Sequence, residues 1–154
     1  MTAPPFPPRD IVGARAVFMV ASLGRKAVGC GAVRPLPDGA ADVAEIKRMY
    51  VAPEARRSGA ARTILRALEE WARARGYRVA RLETGLRQPG ATRLYETAGY
   101  FPIPSYGRHA ADPLAACFEK SLEAISSPAT NCHPEPRKFA KDLTSTDNYG
   151  ATSA

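Results

Sequence analysis

Two arginines and a run of small residues lie where a helix is expected to begin. The stretch, Arg56-Arg57-Ser58-Gly59-Ala60-Ala61, follows an apolar segment that ends at Val51. The first backbone N–H groups of a helix have no intrahelical acceptor, and the helix dipole adds positive potential there. Phosphate oxygens can reach these groups because Gly59 and Ala61 leave the backbone open, and arginine adds charge suited to phosphate. The stretch therefore predicts a phosphate site; a helix start packed closely on a sheet is the alternative.

Three kinds of phosphate loop can be compared with this stretch. A Walker loop needs Gly-Lys-Ser/Thr, and a dinucleotide loop needs G-x-G-x-x-G after the first strand of a βαβ unit; the sequence has neither. The pyrophosphate pattern R/Q-x-x-G-x-G/A matches at Arg56, Gly59 and Ala61. Because Arg, Gly and Ala are abundant in the chain, this match alone is a weak indication of a pyrophosphate site. The strands and helices around it are needed to assess it.

The order of the predicted elements is that of a mixed α/β domain. Apolar and β-branched runs bounded by turns predict strands, and apolar residues at helical spacing predict helices that end at Gly76 and Gly99. The predicted strands are 16–21, 27–33, 44–51, 79–84 and 115–122, the helices are 58–75 and 89–98, and 100–113 is a loop. This domain, 16–122, follows a Pro-rich arm at 1–15 and precedes a Ser-, Thr-, Asn- and Pro-rich segment, 123–154, that we expect to be disordered.

The charge of the chain narrows the classes of partner. The 154 residues carry a formal net charge of +7, mostly as arginine, which favours a phosphate-bearing cofactor or nucleic acid, with a solvated basic surface as the alternative. Against nucleic acid, there is no zinc-finger spacing, no helix-turn-helix pattern and no interleaving of aromatic and basic residues.

Without an apolar run of membrane-spanning length or a signal peptide, we expect a soluble, cytoplasmic protein. Three cysteines with no C-x-x-C pair predict reduced thiols and no metal site.

Two motifs at a consistent separation resemble those of a known family. Segment 44–100 is similar to the acetyl-CoA-binding half of the GNAT family of N-acetyltransferases. The family pattern hydrophobic-V-x-P-x-x-R-x-x-G-x-A matches 50–61, and the pattern A-x-x-L-Y-x-x-x-G-Y matches 91–100. The resemblance extends over about 16–122 and is strongest to small bacterial members. It implies a GNAT-like mixed central sheet with splayed strands and flanking helices.

The chain departs from the family pattern in two places. Arg57, Ser58 and Ala61 stand where the usual loop has Gly, Arg and Gly, and Arg57 is expected to restrict the backbone. The family also begins with a strand and two helices, whereas only the Pro-rich arm precedes residue 16. We therefore expect a domain that lacks the usual first strand and first two helices, and that a second subunit could complete in a homodimer.

By this resemblance the cofactor is acetyl-CoA, which acts as a co-substrate without a metal. Its pantetheine arm would lie between the splayed strands and bind their backbone groups, and the N–H groups of the loop would hold the pyrophosphate. The predicted cofactor-binding residues are Met49, Tyr50, Val51, Arg56, Arg57, Ser58, Gly59, Ala60, Ala61 and Arg62.

The resemblance also implies which residues carry the chemistry. A neutral amine must attack the thioester carbonyl, yet only on the order of one in a thousand Lys-like amines is neutral at pH 7. Removing the excess proton is worth roughly 4–5 kcal/mol, which rewards a general base. Glu45 lies where the family places a base, Glu83 is a weaker candidate, and a structural role is the alternative for Glu45. Tyr95 lies where the family places a general acid for the departing thiolate, with core packing as the alternative.

The predicted function is transfer of the acetyl group from acetyl-CoA to a primary amine of a small molecule or protein, by direct attack within a ternary complex. Tyr106 and Arg108, in the loop before the last strand, are the predicted acceptor-binding residues. Two alternatives remain open: a non-catalytic CoA-binding remnant of the family and, with less support, a basic nucleic-acid-binding module. Neither nucleic acid nor a membrane is an expected partner.

Overall fold

Seven strands form one mixed sheet. The computed structural model describes residues 11–37, 39–107, 110, 112–123 and 143–145. The elements are β1 (Val17–Leu23), β2 (Lys26–Pro35), β3 (Val43–Val51), a 3-10 helix (Pro53–Ala55), α1 (Ala60–Ala74), β4 (Val79–Gly85), α2 (Pro89–Thr97), β5 (Phe101–Ile103), β6 (Ala115–Ser121) and β7 (Leu143–Ser145). The strands lie in the order β5-β6-β4-β3-β2-β1-β7, and within the described residues β3 and β4 form the parallel pair.

The predicted mixed sheet with flanking helices is confirmed, but two short strands differ from the predictions. The loop predicted over 100–113 is wrong at Phe101–Ile103, which pair with β6, and disorder does not hold at Leu143–Ser145, which pair with β1. A three-residue strand has no periodicity of its own, so its pattern gives no local signal. The remainder of the predicted tail and residues 1–10 of the predicted arm lie outside the described residues.

Both helices pack on the same face of the sheet. Gly29 and Gly31 of β2 face α1, and a Cβ atom on Gly31 would lie 2.6 Å from Leu68 Cδ1, so α1 packs directly on the backbone of β2. On the other side of the core, Tyr95 of α2 packs on Phe118 of β6, with ring centroids 6.2 Å apart. Neither helix in the described part of the chain has the length and apolar content that crossing a membrane requires. The buried residues of α1 are Ala60, Ile64, Leu65, Leu68, Glu69 and Ala72.

The opposite face of the sheet carries a row of charges of alternating sign. Arg34 lies opposite Glu45, Glu45 opposite Arg81, and Arg81 opposite Glu119 across four neighbouring strands. The outer pairs form ion pairs, Arg34 with Glu45 at 2.8 Å and Arg81 with Glu119 at 2.6 Å. Opposite charges on directly opposed residues attract, so the row supports the register of the sheet. We call this surface, defined by Arg34, Glu45, Arg81 and Glu119, the charged face.

Candidate active site

A gap opens between β3 and β4 partway along the sheet. Their parallel pairing runs from Val43 with Val79 to Ile46 with Leu82, whereas β3 continues to Val51 and β4 to Gly85. The backbone of residues 47–51 therefore faces the gap on the side where β4 has separated. Backbone N–H and C=O groups need partners, and an extended ligand can supply them where a neighbouring strand does not. The predicted residues Met49, Tyr50 and Val51 lie along this gap.

A β-bulge explains why β3 leaves β4 at this point. The pairing of β2 with β3 shifts between Cys30 and Ala32, so two residues of β3 lie opposite Gly31. One of them, Arg48, has a positive φ of 58°, and the Cys30 thiol donates a hydrogen bond to the Arg48 carbonyl at 3.4 Å. A bulge bends its strand and increases the local twist. The bulge thus turns the second half of β3 away from β4 and opens the gap.

The N-terminus of α1 lies just beyond the end of β3. Its cap residue, Gly59, has φ of 88° and supplies no side-chain acceptor. The first intrahelical bond runs from the Thr63 N–H to the Gly59 carbonyl at 3.0 Å, so the N–H groups of Ala61 and Arg62 precede the helical ladder. Ser58 Oγ donates to the Ala55 carbonyl at 2.6 Å, which closes the loop on itself. These features support the predicted anion site at the first turn.

Two predicted cofactor-binding arginines have partners within the protein. Arg56 Nε donates to the Val51 carbonyl at 3.2 Å, which ties the loop to the end of β3. Arg62 Nη2 donates to Thr97 Oγ1 at 3.1 Å and so reaches across to α2. A groove of about 460 Å³ between α1, α2 and β6 includes Arg62 and is also lined by Arg66 and Lys120. Glu69 and Glu70 also line the groove, and Lys120 pairs with Glu69 at 2.9 Å, so the groove carries both signs of charge and does not lie at the gap.

Arg57 adopts the conformation that favours glycine. Its φ is 60°, in the left-handed region, as expected from its place where the family pattern has glycine. A Cβ atom in this region is disfavoured by roughly 1–2 kcal/mol, whereas glycine loses somewhat more backbone entropy on folding. The backbone restriction expected at Arg57 thus falls on a residue with a left-handed torsion angle.

We expect Arg57→Gly to raise the free energy of unfolding by up to about 1 kcal/mol, because relief of the torsional strain exceeds the entropy that glycine loses. Urea denaturation measures this change. Arg25→Gly, at an exposed turn position that does not have a positive φ, is the matched control and should lower stability. Equal losses in both variants would show that Arg57 is not strained.

Tyr95 is a buried residue of α2 in the hydrophobic core. Its ring makes an edge-to-face contact with Tyr100, with centroids 5.9 Å apart, and packs on Phe118. Burial raises the pKa of the Tyr95 hydroxyl to about 12, so the group is neutral at physiological pH. Tyr95 therefore contributes to the core and also keeps the proton that an acid needs.

Glu45 is buried on the charged face, and four donors surround its carboxylate. Oε2 accepts from Arg34 Nε at 2.9 Å and lies 2.8 Å from Arg34 Nη2. Oε1 lies 3.2 Å from Lys47 Nζ and accepts from the Tyr106 hydroxyl at 3.3 Å. The residue is only 3% exposed. The carboxylate is thus held between two cations and the Tyr106 hydroxyl, so it is not open to an incoming amine.

Of the two predicted acceptor-binding residues, the structure describes Tyr106 but not Arg108. Tyr106 lies over the charged face, where its hydroxyl reaches Glu45 and its ring centroid is 5.8 Å from the Arg81 guanidinium carbon. Burial, with the nearby charge of Glu45 as a further cause, raises the pKa of Tyr106 above its ordinary range, so the hydroxyl stays neutral. Arg108 lies outside the described residues.

Sequence reasoning did not find the residues that surround Glu45. Arg34, Lys47 and Arg81 are charged residues inside strands, and the signal that could have revealed them is the period-two pattern combined with the register of three strands. The structure brings Glu45 and Tyr106 together on the charged face, whereas Tyr95 lies on the face that the helices cover.

The fold and the gap are those of a known family. A model of the Acetyltransferase (GNAT) family matches residues 4–100, so the chain belongs to this family and the resemblance is confirmed. A protein of Azospirillum brasilense named IAA acetyltransferase is 37% identical over 105 residues, which cover 68% of this chain and 67% of that protein. The prediction of an acetyl-CoA-dependent acetyltransferase is thereby confirmed as the class of enzyme.

Solved structures agree with this assignment. A protein of Klebsiella pneumoniae assigned as an acyl-CoA N-acyltransferase has a TM-score of 0.65 and 33% identity, covering 77% of each chain. The PaiA N-acetyltransferase of Thermoplasma acidophilum, solved in complex with coenzyme A, has a TM-score of 0.60 and 19% identity, covering 70% of this chain and 61% of that one. At this lower identity the second likeness concerns the fold alone.

Proposed function

We propose that the protein binds acetyl-CoA across the gap between β3 and β4 and transfers the acetyl group to a primary amine of a small molecule. The observation that carries this proposal is the gap itself, which opens at Ile46 and Leu82 and leads to the start of α1. A strand edge and an uncapped helix start, placed in succession, suit a ligand with an amide-containing arm and a pyrophosphate.

The pantetheine arm would take the place of a strand beside residues 47–51. Its amides would pair with backbone groups of Met49 to Val51, and the thioester carbonyl would lie where a backbone N–H of this segment stabilises the developing oxyanion. The pyrophosphate would accept from the N–H groups at the first turn of α1, with Arg57 and Arg62 adding positive charge. These contacts use the backbone more than side chains. The small residues of the loop are therefore important because they leave the backbone N–H groups accessible to the pyrophosphate.

The acceptor amine would approach from the charged face, because α1 and α2 cover the other face. There it would meet Tyr106, whose hydroxyl donates to Glu45. We infer direct attack within a ternary complex; this inference is supported by the room for cofactor and acceptor on opposite sides of the same gap. The name of the Azospirillum brasilense relative favours a small-molecule acceptor over a protein.

Titration with acetyl-CoA tests the cofactor site. Calorimetry should show binding, and Gly59→Val should weaken it about tenfold, because a branched side chain at a φ of 88° strains the loop and obstructs the helix N–H groups. Gly90→Ala is the matched control: Gly90 has open space around it and an ordinary φ, so affinity should not change. Equal affinities in all three proteins would exclude the helix start as the pyrophosphate site.

Release of free CoA thiol separates an enzyme from a non-catalytic CoA-binding protein. With acetyl-CoA and ethylamine we expect thiol release above the uncatalysed rate. A protein that binds acetyl-CoA but releases no thiol with any primary amine tested would instead be a binding remnant of the family.

A further inference from the structure

We propose that the side chain of Tyr50 determines acceptor specificity, and that the acceptor is a primary amine carrying an apolar group on a short carbon chain. This inference rests on the proposed function, since it concerns the amine side of the same reaction. In that reaction a C–N bond forms and the thioester C–S bond breaks. The acceptor ammonium loses two protons, of which one ends on the CoA sulfur and the other is released to solvent.

The Tyr50 side chain lies on the side of the charged face. A Cβ atom on Gly31 would lie 2.9 Å from Met49 Sδ. A Cβ atom on Gly29 would lie 3.4 Å from Val51 Cγ2, and both glycines face α1. Met49 and Val51 therefore lie on the face of the sheet that α1 covers. Successive side chains of a strand alternate between the two faces, so Tyr50 points to the opposite one.

An apolar row extends from Tyr50 across two neighbouring strands. Tyr50 lies opposite Cys30 of β2, and Cys30 lies opposite Val20 of β1. Directly opposed residues share a face of the sheet, so the three side chains are neighbours on the side of the charged face. Burial raises the pKa of the Cys30 thiol, which therefore stays neutral and behaves as a small apolar group. We call these three residues the apolar row.

The ring of Tyr50 is accessible to a ligand. The residue is 53% exposed, and its side chain makes no hydrogen bond or ring contact with the part of the chain that the structure describes. The backbone of the same residue would hold the pantetheine arm, so the ring lies close to the position proposed for the thioester. An exposed aromatic ring at this point offers apolar area and a stacking surface to the acceptor.

Two exposed leucines lie at the same end of the sheet, on the β4 side of the gap. Leu86 follows β4 directly, and its N–H donates to the Leu114 carbonyl at 2.8 Å. Both leucines are more than half exposed. Because β3 and β4 are parallel, the end of β3 with Tyr50 and the end of β4 with Leu86 lie at the same edge of the sheet. Exposed apolar residues therefore lie on both sides of the gap, which is typical of a ligand site.

Lys47 disfavours an acceptor that carries a second positive charge. Its Nζ lies 3.2 Å from Glu45 Oε1, so this cation also lies on the side of the charged face, between Glu45 and Tyr50 along β3. A second ammonium group of a diamine would be repelled by Lys47, whereas an apolar group meets no such repulsion. The arrangement therefore favours an alkylamine or an arylalkylamine over a diamine.

Two amines that differ by a phenyl ring, 2-phenylethylamine and ethylamine, test the role of Tyr50. In thiol-release assays with saturating acetyl-CoA, Tyr50→Ala should lower kcat/KM about tenfold with 2-phenylethylamine, mainly through KM, and less than about threefold with ethylamine. Each amine is compared between parent and variant, so the different basicities of the two amines cancel. Tyr50→Phe keeps the ring and should retain the parent's ratio of the two values.

Phe101→Ala is the matched control. Phe101 is also an aromatic residue that is about half exposed, but it lies on β5, which β6 and β4 separate from the gap. Both kcat/KM values of this variant should equal those of the parent. A second pair of amines tests the charge argument: the parent should have a higher kcat/KM with butylamine than with 1,4-diaminobutane.

The outcomes separate this inference from the proposed function. Equal losses for the two amines in Tyr50→Ala, or a preference of the parent for 1,4-diaminobutane over butylamine, would overturn the inference while parent activity upheld the proposed function. A parent protein that binds acetyl-CoA and acetylates none of the four amines would overturn the inference and the transfer step together, and would leave the cofactor site standing.

Discussion

Replacing Glu45 by alanine is expected to lower the free energy of unfolding by about 3 kcal/mol. The substitution leaves Arg34, Lys47 and the Tyr106 hydroxyl without the carboxylate that they share, and the side chains of Arg34 and Lys47 are only 15% and 14% exposed. Breaking a buried ion pair by removing one partner costs about 3–5 kcal/mol, and partial access of water to the two cations places this case at the low end. Urea denaturation followed by circular dichroism measures the change.

Glu54→Ala is the matched control for this substitution. Glu54 also pairs with a lysine, Lys26, at 2.7 Å, but both side chains are more than half exposed. Exposed ion pairs add little to stability, so this variant should unfold at the same urea concentration as the parent. If Glu45→Ala were as stable as the control, the charged face would be a solvated surface and not an ordered network.

The loop at the start of α1 could be predicted because its signals are local. Pro53 ends β3, Gly59 begins the helix, and the small residues between them lie within one short stretch. The family pattern has glycine at the position of Arg57, and the backbone there has the positive φ that glycine favours. Features that depend on neighbours in sequence are accessible without coordinates, since turn and cap preferences act over a few residues.

The arrangement around Glu45 could not be predicted in the same way. Its partners Arg34 and Tyr106 are 11 and 61 residues away in sequence, and they meet it only through strand register and the path of the loop after β5. A shift of register by one residue would turn Glu45 into the core, so the contact depends on the whole sheet. The same reason applies to the bulge at Arg48, because no residue type demands a bulge there.

The contrast explains why the cofactor site is easier to infer than the acceptor site. The cofactor is bound mainly by backbone groups whose geometry follows from local turns and one helix start. The acceptor would be recognised by side chains from β3, β4 and the loop before β6, and their mutual placement is a property of the tertiary fold. A family motif can therefore identify the acetyl donor while leaving the amine unspecified.

Tyr95→Phe is expected to lower kcat about 10- to 100-fold while leaving the affinity for acetyl-CoA unchanged within about twofold. A hydrogen bond to a developing charge is worth about 1.5–3 kcal/mol, and the departing CoA sulfur develops negative charge as the C–S bond breaks. The phenylalanine ring preserves the packing on Tyr100 and Phe118. Steady-state thiol release and calorimetric titration with acetyl-CoA measure the two quantities. An unchanged kcat would exclude Tyr95 from the chemistry.

The pKa of about 12 further specifies what Tyr95 can do. A thiol has an ordinary pKa of about 8.5, so complete proton transfer from Tyr95 to the thiolate would be uphill by about 5 kcal/mol. Tyr95 should therefore stabilise the sulfur as a hydrogen-bond donor, and the proton that remains on the thiol should come from the amine. Accordingly, the alkaline limb of the pH–rate profile should not arise from Tyr95 below about pH 11.

The same pKa makes a prediction about alkaline stability with a definite sign. Because the folded-state pKa of Tyr95 is raised from 10.0 to about 12, its contribution is fully present below pH 10 and is lost as pH rises through 12. The unfolded chain ionises first, so stability should fall by up to about 3 kcal/mol over this interval from Tyr95 alone. Tyr95→Phe should remove this part of the decrease in unfolding free energy between pH 10 and pH 12. Measuring the unfolding free energy of both proteins as a function of pH tests this. An equal slope in both proteins would mean that the Tyr95 hydroxyl is in contact with water, in which case it could not provide the dry hydrogen bond on which its catalytic role depends.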